Sequence, residues 1–359
     1  MNVFIFHHDQ YDRLYNCTGV DLATVGESNV LLGLSYMMVG IVFELLYIPC
    51  MKVLWSPALR QNSCHKIMFI LGLLDMCTLL VNSIVTGFLT IEGAVYCSHP
   101  DFMYVVGSIV LGLWCATCAT SVTLGINRSI DIWFPDLMTT LFKGSRTYLW
   151  CLLPLLYGLW FTWATRPVTY SSYAYAWFFD PYFGIDTVEK LIVYDNIYHS
   201  LHNTATVVAI LALNIFLAAS VRWRCRKSQL NTKTMCEVQK QIIYQSCMIC
   251  FINFCAAFLY VYMQYFYTPT WLIIIAQITW IGCHGQFRLT FEAIINHQLV
   301  GGAVIVYLGF NRTIRNEVLA LFLHSTHPYQ QNLAFMSTAI TSVVSVTPHP
   351  QINVLTAEL

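Results

Sequence analysis

The chain has 359 residues, of which 57% are hydrophobic and 10% charged, with zero formal net charge and a mean hydropathy of +0.60. Average globular chains carry about 25% charged residues, and a soluble domain of this size cannot clothe its surface with so few. This excludes an ordinary cytosolic enzyme, a disordered protein and a nucleic-acid binder. The last needs clustered basic charge, whereas here 18 Lys+Arg balance 18 Asp+Glu. What remains is an all-α integral membrane protein.

Residues 1–29 lack a basic n-region and a long apolar run, so they read as an extracellular tail without a cleavable signal peptide. A membrane-spanning domain follows over 30–310. Six segments meet the requirement of roughly 20 mostly apolar residues: Val30–Val53, Ile67–Ile91, Phe102–Ile126, Tyr148–Thr165, His199–Val221 and Ile242–Phe266. The seventh is irregular. Trp271–Cys283 and Leu299–Phe310 are apolar but each is too short to cross, and between them His284–Val300 holds Arg288, Glu292, His297 and Gln298. Three readings fit this interruption at about 284–300. It is an insertion or gene-model error inside a seventh helix, which we favour; a re-entrant break lining a cavity; or a charged helix followed by a further short segment. Beyond it, Thr313–Phe322 spaces Ile314, Val318, Leu321 and Phe322 for a short amphipathic juxtamembrane helix over 311–322, and 323–359 reads as a disordered cytoplasmic tail.

With the N-terminus outside and seven crossings, fourteen basic residues fall inside and only Arg13, Arg166 and Lys190 outside, a bias that sets topology. Of three Asn-x-Ser/Thr sequons, Asn16 lies outside, where a glycan is expected, while Asn127 and Asn311 lie at the inner face and stay bare. Among the 14 cysteines only Cys17 and Cys97 face the oxidising exterior, which makes a disulfide between them the natural hypothesis. The outer loop Arg166–Tyr198 has no cysteine, so a tie from the third helix to that loop is unavailable. The CxxC pairs Cys115/Cys118 and Cys247/Cys250 read as packing between membrane helices rather than as metal sites. No enzyme signature occurs, and no cofactor is expected.

The outer loop over 170–183, YSSYAYAWFFDPYF, is dominated by aromatic residues and includes Trp177 and Phe178. Such residues gather at membrane interfaces, and they also form lids over small apolar ligands. Tyr260 and Tyr262 approach the same face, and His199 and His202 share one face at the outer end of the fifth helix, either as ligand contacts or as a wet helix end. Glu44 and Asp75 are acids inside regular spans, where a role is the default reading because intramembrane charge is costly. At similar depth they are placed to face each other as a protonation- or cation-linked switch; the alternative is a neutral carboxyl bonded to neighbours such as Asn82. At the inner face, Asn127 and Arg128 end the third helix, and the third inner loop carries Arg222, Arg224, Arg226 and Lys227, suited to anionic lipid or an intracellular partner.

In combination these pieces resemble the nematode serpentine chemoreceptors of class T. The resemblance runs from about Tyr15 to Glu317. It is carried by Asn62-Ser-Cys-His-Lys-Ile-Met with Leu71-Gly-Leu-Leu-Asp75, Gly93-Ala-Val-Tyr-Cys97, Trp114-Cys115 with Cys118, Ile126-Asn-Arg128, Leu141-Phe-Lys-Gly144 with Arg146-Thr147, Trp177-Phe-Phe-Asp-Pro181, Asn196 with His199 and Asn203, and Tyr307 with Asn311-Arg-Thr-Ile-Arg315. It implies a seven-helix receptor, in the plasma membrane and sensory cilia, that detects a small molecule and couples to a heterotrimeric G protein. The ligand residues would be Trp177, Phe178, His199, His202, Asn203, Tyr260 and Tyr262. Glu44, Asp75, Asn127 and Arg128 would act in signalling, and the basic third inner loop would meet the G protein. The competing class is a transporter or channel with a discontinuous seventh helix.

Overall fold

The computed structural model describes residues 1–22, 24–185, 192–227 and 251–285. In chain order these form α1 (Asn2–Phe6), α2 (His8–Leu14), α3 (Val30–Leu54), α4 (Ser63–Glu92), α5 (Pro100–Trp133), α6 (Pro135–Phe142), α7 (Arg146–Ala164), β1 (Thr169–Ser171), β2 (Ala176–Phe178), α8 (Ile197–Lys227), α9 (Phe251–Tyr265) and α10 (Thr270–Gly285). Among the described residues, α3, α4, α5 and α8 are each long and apolar enough to cross a membrane, with α7, α9 and α10 as shorter apolar helices. The chain is a helical, multi-pass membrane protein. The candidate juxtamembrane helix, the tail, Asn311, Cys247 and Cys250 lie outside the described residues, as does the polar stretch beyond Gly285.

Three helices differ from the segments that hydropathy predicts. α4 starts four residues early because the Asn62 side chain caps it, Oδ1 accepting from the Cys64 amide at 2.9 Å. α5 runs past Ile126 to Trp133, 34 residues and about 51 Å at 1.5 Å per residue. Nothing in Asn-Arg-Ser-Ile-Asp-Ile-Trp breaks a helix; Phe134, preceding Pro135, does. Arg128 therefore sits on a continuous helix rather than at its end. α8 continues to Lys227, so Arg222, Arg224, Arg226 and Lys227 extend the fifth helix instead of forming a loop. Arg and Lys are good helix formers, and the helix overhangs the lipid where charge is welcome. The two overhangs meet: Trp223 stacks on Trp133 at 5.1 Å between centroids, and Trp133 Nε1 donates to Ser220 Oγ at 2.7 Å.

Small residues let the spans approach closely. A Cβ on Gly112 of α5 would lie 2.6 Å from the Gly158 carbonyl oxygen of α7, and one on Gly158 would lie 2.5 Å from that of Gly112. Both positions exclude any side chain, and among the described residues α5–α7 is the most extensive helix pairing. Within α4, Leu80–Val85 adopts a π turn, a feature frequent at functional sites.

Candidate functional site: an outer void above a buried polar triad

The outer aromatic loop folds as a hairpin. β1 and β2 pair antiparallel, Tyr170 opposite Trp177, and successive side chains alternate faces. Trp177 turns into the bundle, where its Nε1 donates to Thr86 Oγ1 of α4 at 2.8 Å, and the Tyr170 hydroxyl bonds that of Thr90 at 2.6 Å. Phe178 turns the other way and stacks on Phe183. The N-terminal residues lie across this hairpin. Tyr11 donates to Asp101 at 2.9 Å and shares a bond with Tyr96, Tyr182 donates to the Asn16 carbonyl at 2.8 Å, and Cys17 is disulfide-bonded to Cys97. Burial pushes the phenols of Tyr11, Tyr15 and Tyr182 up, so they stay protonated through the physiological range. Asn16 is exposed beside this lid.

Beneath the lid lies a void of about 20 Å³ lined by Leu111, Trp114, Val168, His199, Asn203, Tyr260 and Trp280. A second, lower void of about 10 Å³ shares Trp114 and Asn203 and adds residues of α8 and α9. The Trp114 Nε1–Asn203 Oδ1 hydrogen bond of 2.9 Å forms part of the wall of both. Of the seven residues read from sequence as ligand contacts, His199, Asn203 and Tyr260 reach the upper void. The other four do not. Trp177 and Phe178 build the lid, His202 accepts or donates a 3.0 Å bond with Tyr157 of α7, and Tyr262 stacks between Phe258 and Phe266. The structure adds Trp280 and Trp114, the latter quoted above only as a mark of the resemblance.

Below the voids, three buried groups meet from three helices. Asp75 Oδ1 of α4 bonds His284 Nδ1 of α10 at 2.8 Å; the Tyr47 hydroxyl of α3 donates toward Asp75 Oδ2 at 3.1 Å and the His284 carbonyl at 2.7 Å. Each is at most 2% exposed. Asp75 and Glu44 are therefore not partners: Asp75 turns toward α10, while Glu44 Oε1 has no hydrogen-bond partner. Asn82 does not take up the carboxyl either; its backbone carbonyl accepts from Gln277 at 2.7 Å. The His284 ring packs edge-on against Trp114 at 5.7 Å, which joins the triad to the voids. Among the described residues, no three His, Cys, Asp or Glu side chains come together to hold a metal. Cys115 and Cys118 are buried free thiols.

At the inner end, Asn127 is fully buried and donates to Ser63 Oγ at 3.1 Å, which ties α5 to the start of α4. Arg128 approaches Met68 of the same helix at 4.0 Å. Lys66 is drawn inward too, its Nζ donating to the Gly144 carbonyl at 2.6 Å.

The model of the family described as "Serpentine type 7TM GPCR chemoreceptor Srt" matches residues 1–331. The chain belongs to this receptor family. It is also 24% identical over 313 residues to Serpentine receptor class T-55 of Caenorhabditis elegans, covering 86% of this chain and 80% of that receptor. The family is one of seven-transmembrane receptors and not of enzymes. Among the residues that carried the resemblance, Trp114, His199 and Asn203 converge on the upper void, Asp75 on the triad, and Asn127 and Arg128 on the α4–α5 contact.

Proposed function

We propose that this Srt receptor lies in the plasma membrane of sensory neurons, in their cilia, and binds a small molecule from the exterior in the upper void. It then signals to a heterotrimeric G protein at the inner ends of α5 and α8. The observation that carries this reading is the position of Trp114. Its indole lines the void, holds Asn203 of α8, and packs on His284, which is bonded to Asp75. A ligand that displaces Trp114, or Trp280 one turn above His284 on α10, acts on the contacts joining α3, α4, α5, α8 and α10. Such a ligand biases the bundle only by binding one packing better than another. Asp75 is the switch acid in this scheme, and Glu44 is not its partner. Asn127 and Arg128 hold the inner end of α5 against α4, while Arg222, Arg224, Arg226 and Lys227 supply basic charge for an acidic partner face or anionic lipid.

The test is ligand-dependent nucleotide exchange on a G protein, with the full chain in lipid nanodiscs. Exchange that rises with ligand in the wild type and is lost in Asp75→Asn supports the reading. A ligand-evoked current in G-protein-free vesicles, with no exchange, supports a transporter or channel instead.

A further inference from the structure

We propose that residues 2–15 form a displaceable strap: they close the outer end of the bundle, and lifting them is the step that opens the space under the lid to the exterior. This deepens the receptor reading and rests on it for what then enters. Room is the first argument. The void beneath the lid, about 20 Å³, holds little more than one water. Nothing larger enters until an element above it moves. The hairpin and the N-terminal segment both lie over this end of the bundle, and they are anchored differently.

The strap sits on Tyr104, near the outer end of α5. Phe4 stacks on that ring at 5.4 Å between centroids, and Tyr11 and Tyr15 meet it edge-on at 5.0 and 4.9 Å. Tyr104 is buried beneath them. Ser108 and Leu111 follow it at helical spacing on the same face of α5, and Leu111 lines the void. The strap thus lies on the outer end of the helix face that leads to the void. The hairpin is fixed in depth. Its strands pair with each other, Trp177 and Tyr170 bond into α4, and the Ser172 amide donates to the Ala94 carbonyl at 3.0 Å. The strap has no such depth. α1 has 5 residues and buries none, and α2 has 7 and buries only Tyr11. Helices so short are not stable alone. Ile5 and Phe6 are exposed. The fixings are contacts at the rim: the Tyr11 hydroxyl on Asp101 and Tyr96, the Tyr194 hydroxyl on the Leu14 carbonyl, and the Phe6 ring on Trp163 of α7. Asp101 is exposed, so water can replace the Tyr11 bond. An element with few buried contacts and solvent-facing hydrogen bonds opens before its neighbours do. The Cys17–Cys97 disulfide follows directly and keeps a lifted strap at hand, so closing is an intramolecular step at high effective concentration.

The test uses intact cells that express the full chain carrying Ser108→Cys, a near-isosteric reporter one turn beneath Tyr104 at a buried site. The probe is trimethylammonium-ethyl methanethiosulfonate, a thiol reagent whose fixed charge keeps it outside the membrane. The readout is the rate at which residue 108 is modified, followed by peptide mass spectrometry, and it needs neither ligand nor G protein. With the strap in place modification should be slow. Tyr11→Ala removes the ring and both hydroxyl bonds and should speed it about tenfold or more. Tyr11→Phe keeps the ring, guards against misfolding of the first variant, and should speed it about fivefold. Trp177→Phe deletes the bond from the hairpin to Thr86 and should change the rate by less than about twofold, because the hairpin is not the element that lifts. An unchanged rate in both Tyr11 variants overturns the inference. So does an equal rise with Trp177→Phe, or rapid modification with the reporter alone. The expected rates without nucleotide exchange under any condition would leave the strap standing and sink the receptor reading.

Discussion

The outer lid and the void beneath it are built from the same residue types and behave differently. In the lid, the polar ends of the aromatic rings are spoken for: Trp177 by Thr86, Tyr170 by Thr90, Tyr11 by Asp101, and Tyr182 by the Asn16 carbonyl. In the wall of the void, Trp280 keeps an N–H with no hydrogen-bond partner. Satisfied aromatics are architecture, and unsatisfied ones one layer deeper are candidates for recognition. The residues most conspicuous in the sequence are thus the structural ones.

That contrast can be broken by mutation. The largest effect is expected from Trp177→Ala. It removes a ring 1% exposed together with the Thr86 bond, and large-to-small changes at such sites cost about 3–5 kcal/mol. Ligand-free receptor should lose surface expression and melt well below wild type. If instead stability is retained and only ligand potency falls, Trp177 belongs to the void and the contrast fails. Next is Asp75→Leu, which leaves His284 Nδ1 without its partner and Tyr47 with the His284 carbonyl as acceptor; truncating one member of a buried ionisable pair costs about 3–5 kcal/mol. Asp75→Asn keeps the shape and should fold with a smaller loss, so that stability and exchange activity separate between the two variants. Tyr170→Phe deletes one lid hydrogen bond and should cost about 1 kcal/mol with no change in ligand potency. The smallest effect concerns Asn16. Glycosidase treatment of receptor from cells should remove a glycan from Asn16, and Asn16→Gln should abolish that shift. Asn127, buried against Ser63, should carry none, and a glycan there would invert the topology.

Much of the fold was legible in the sequence because lipid imposes a length and an apolar composition on each span. The ends were not. α5 and α8 continue beyond the lipid, where helix geometry no longer needs apolar residues, so hydropathy stopped at Ile126 and Val221 while the helices did not. The triad was half legible. Asp75 stood out as an intramembrane acid, but His284 looked like the start of the polar interruption, and 209 residues separate them. Its one-turn spacing from Trp280 was the available signal. Trp280 was hidden because a tryptophan in an apolar helix carries no sign of its role, and an unpaired N–H is visible only once its neighbours are placed.

The central claim is that ligand is held by the void and not by the lid. The most direct measurement is ligand-dependent nucleotide exchange in Asn203→Ala beside Phe178→Ala, with both expressed to equal surface levels. Asn203→Ala frees Trp114 and His199 together and should weaken potency about tenfold or more, while Phe178→Ala should leave it within about threefold. Potency lost in Phe178→Ala and kept in Asn203→Ala would contradict the account.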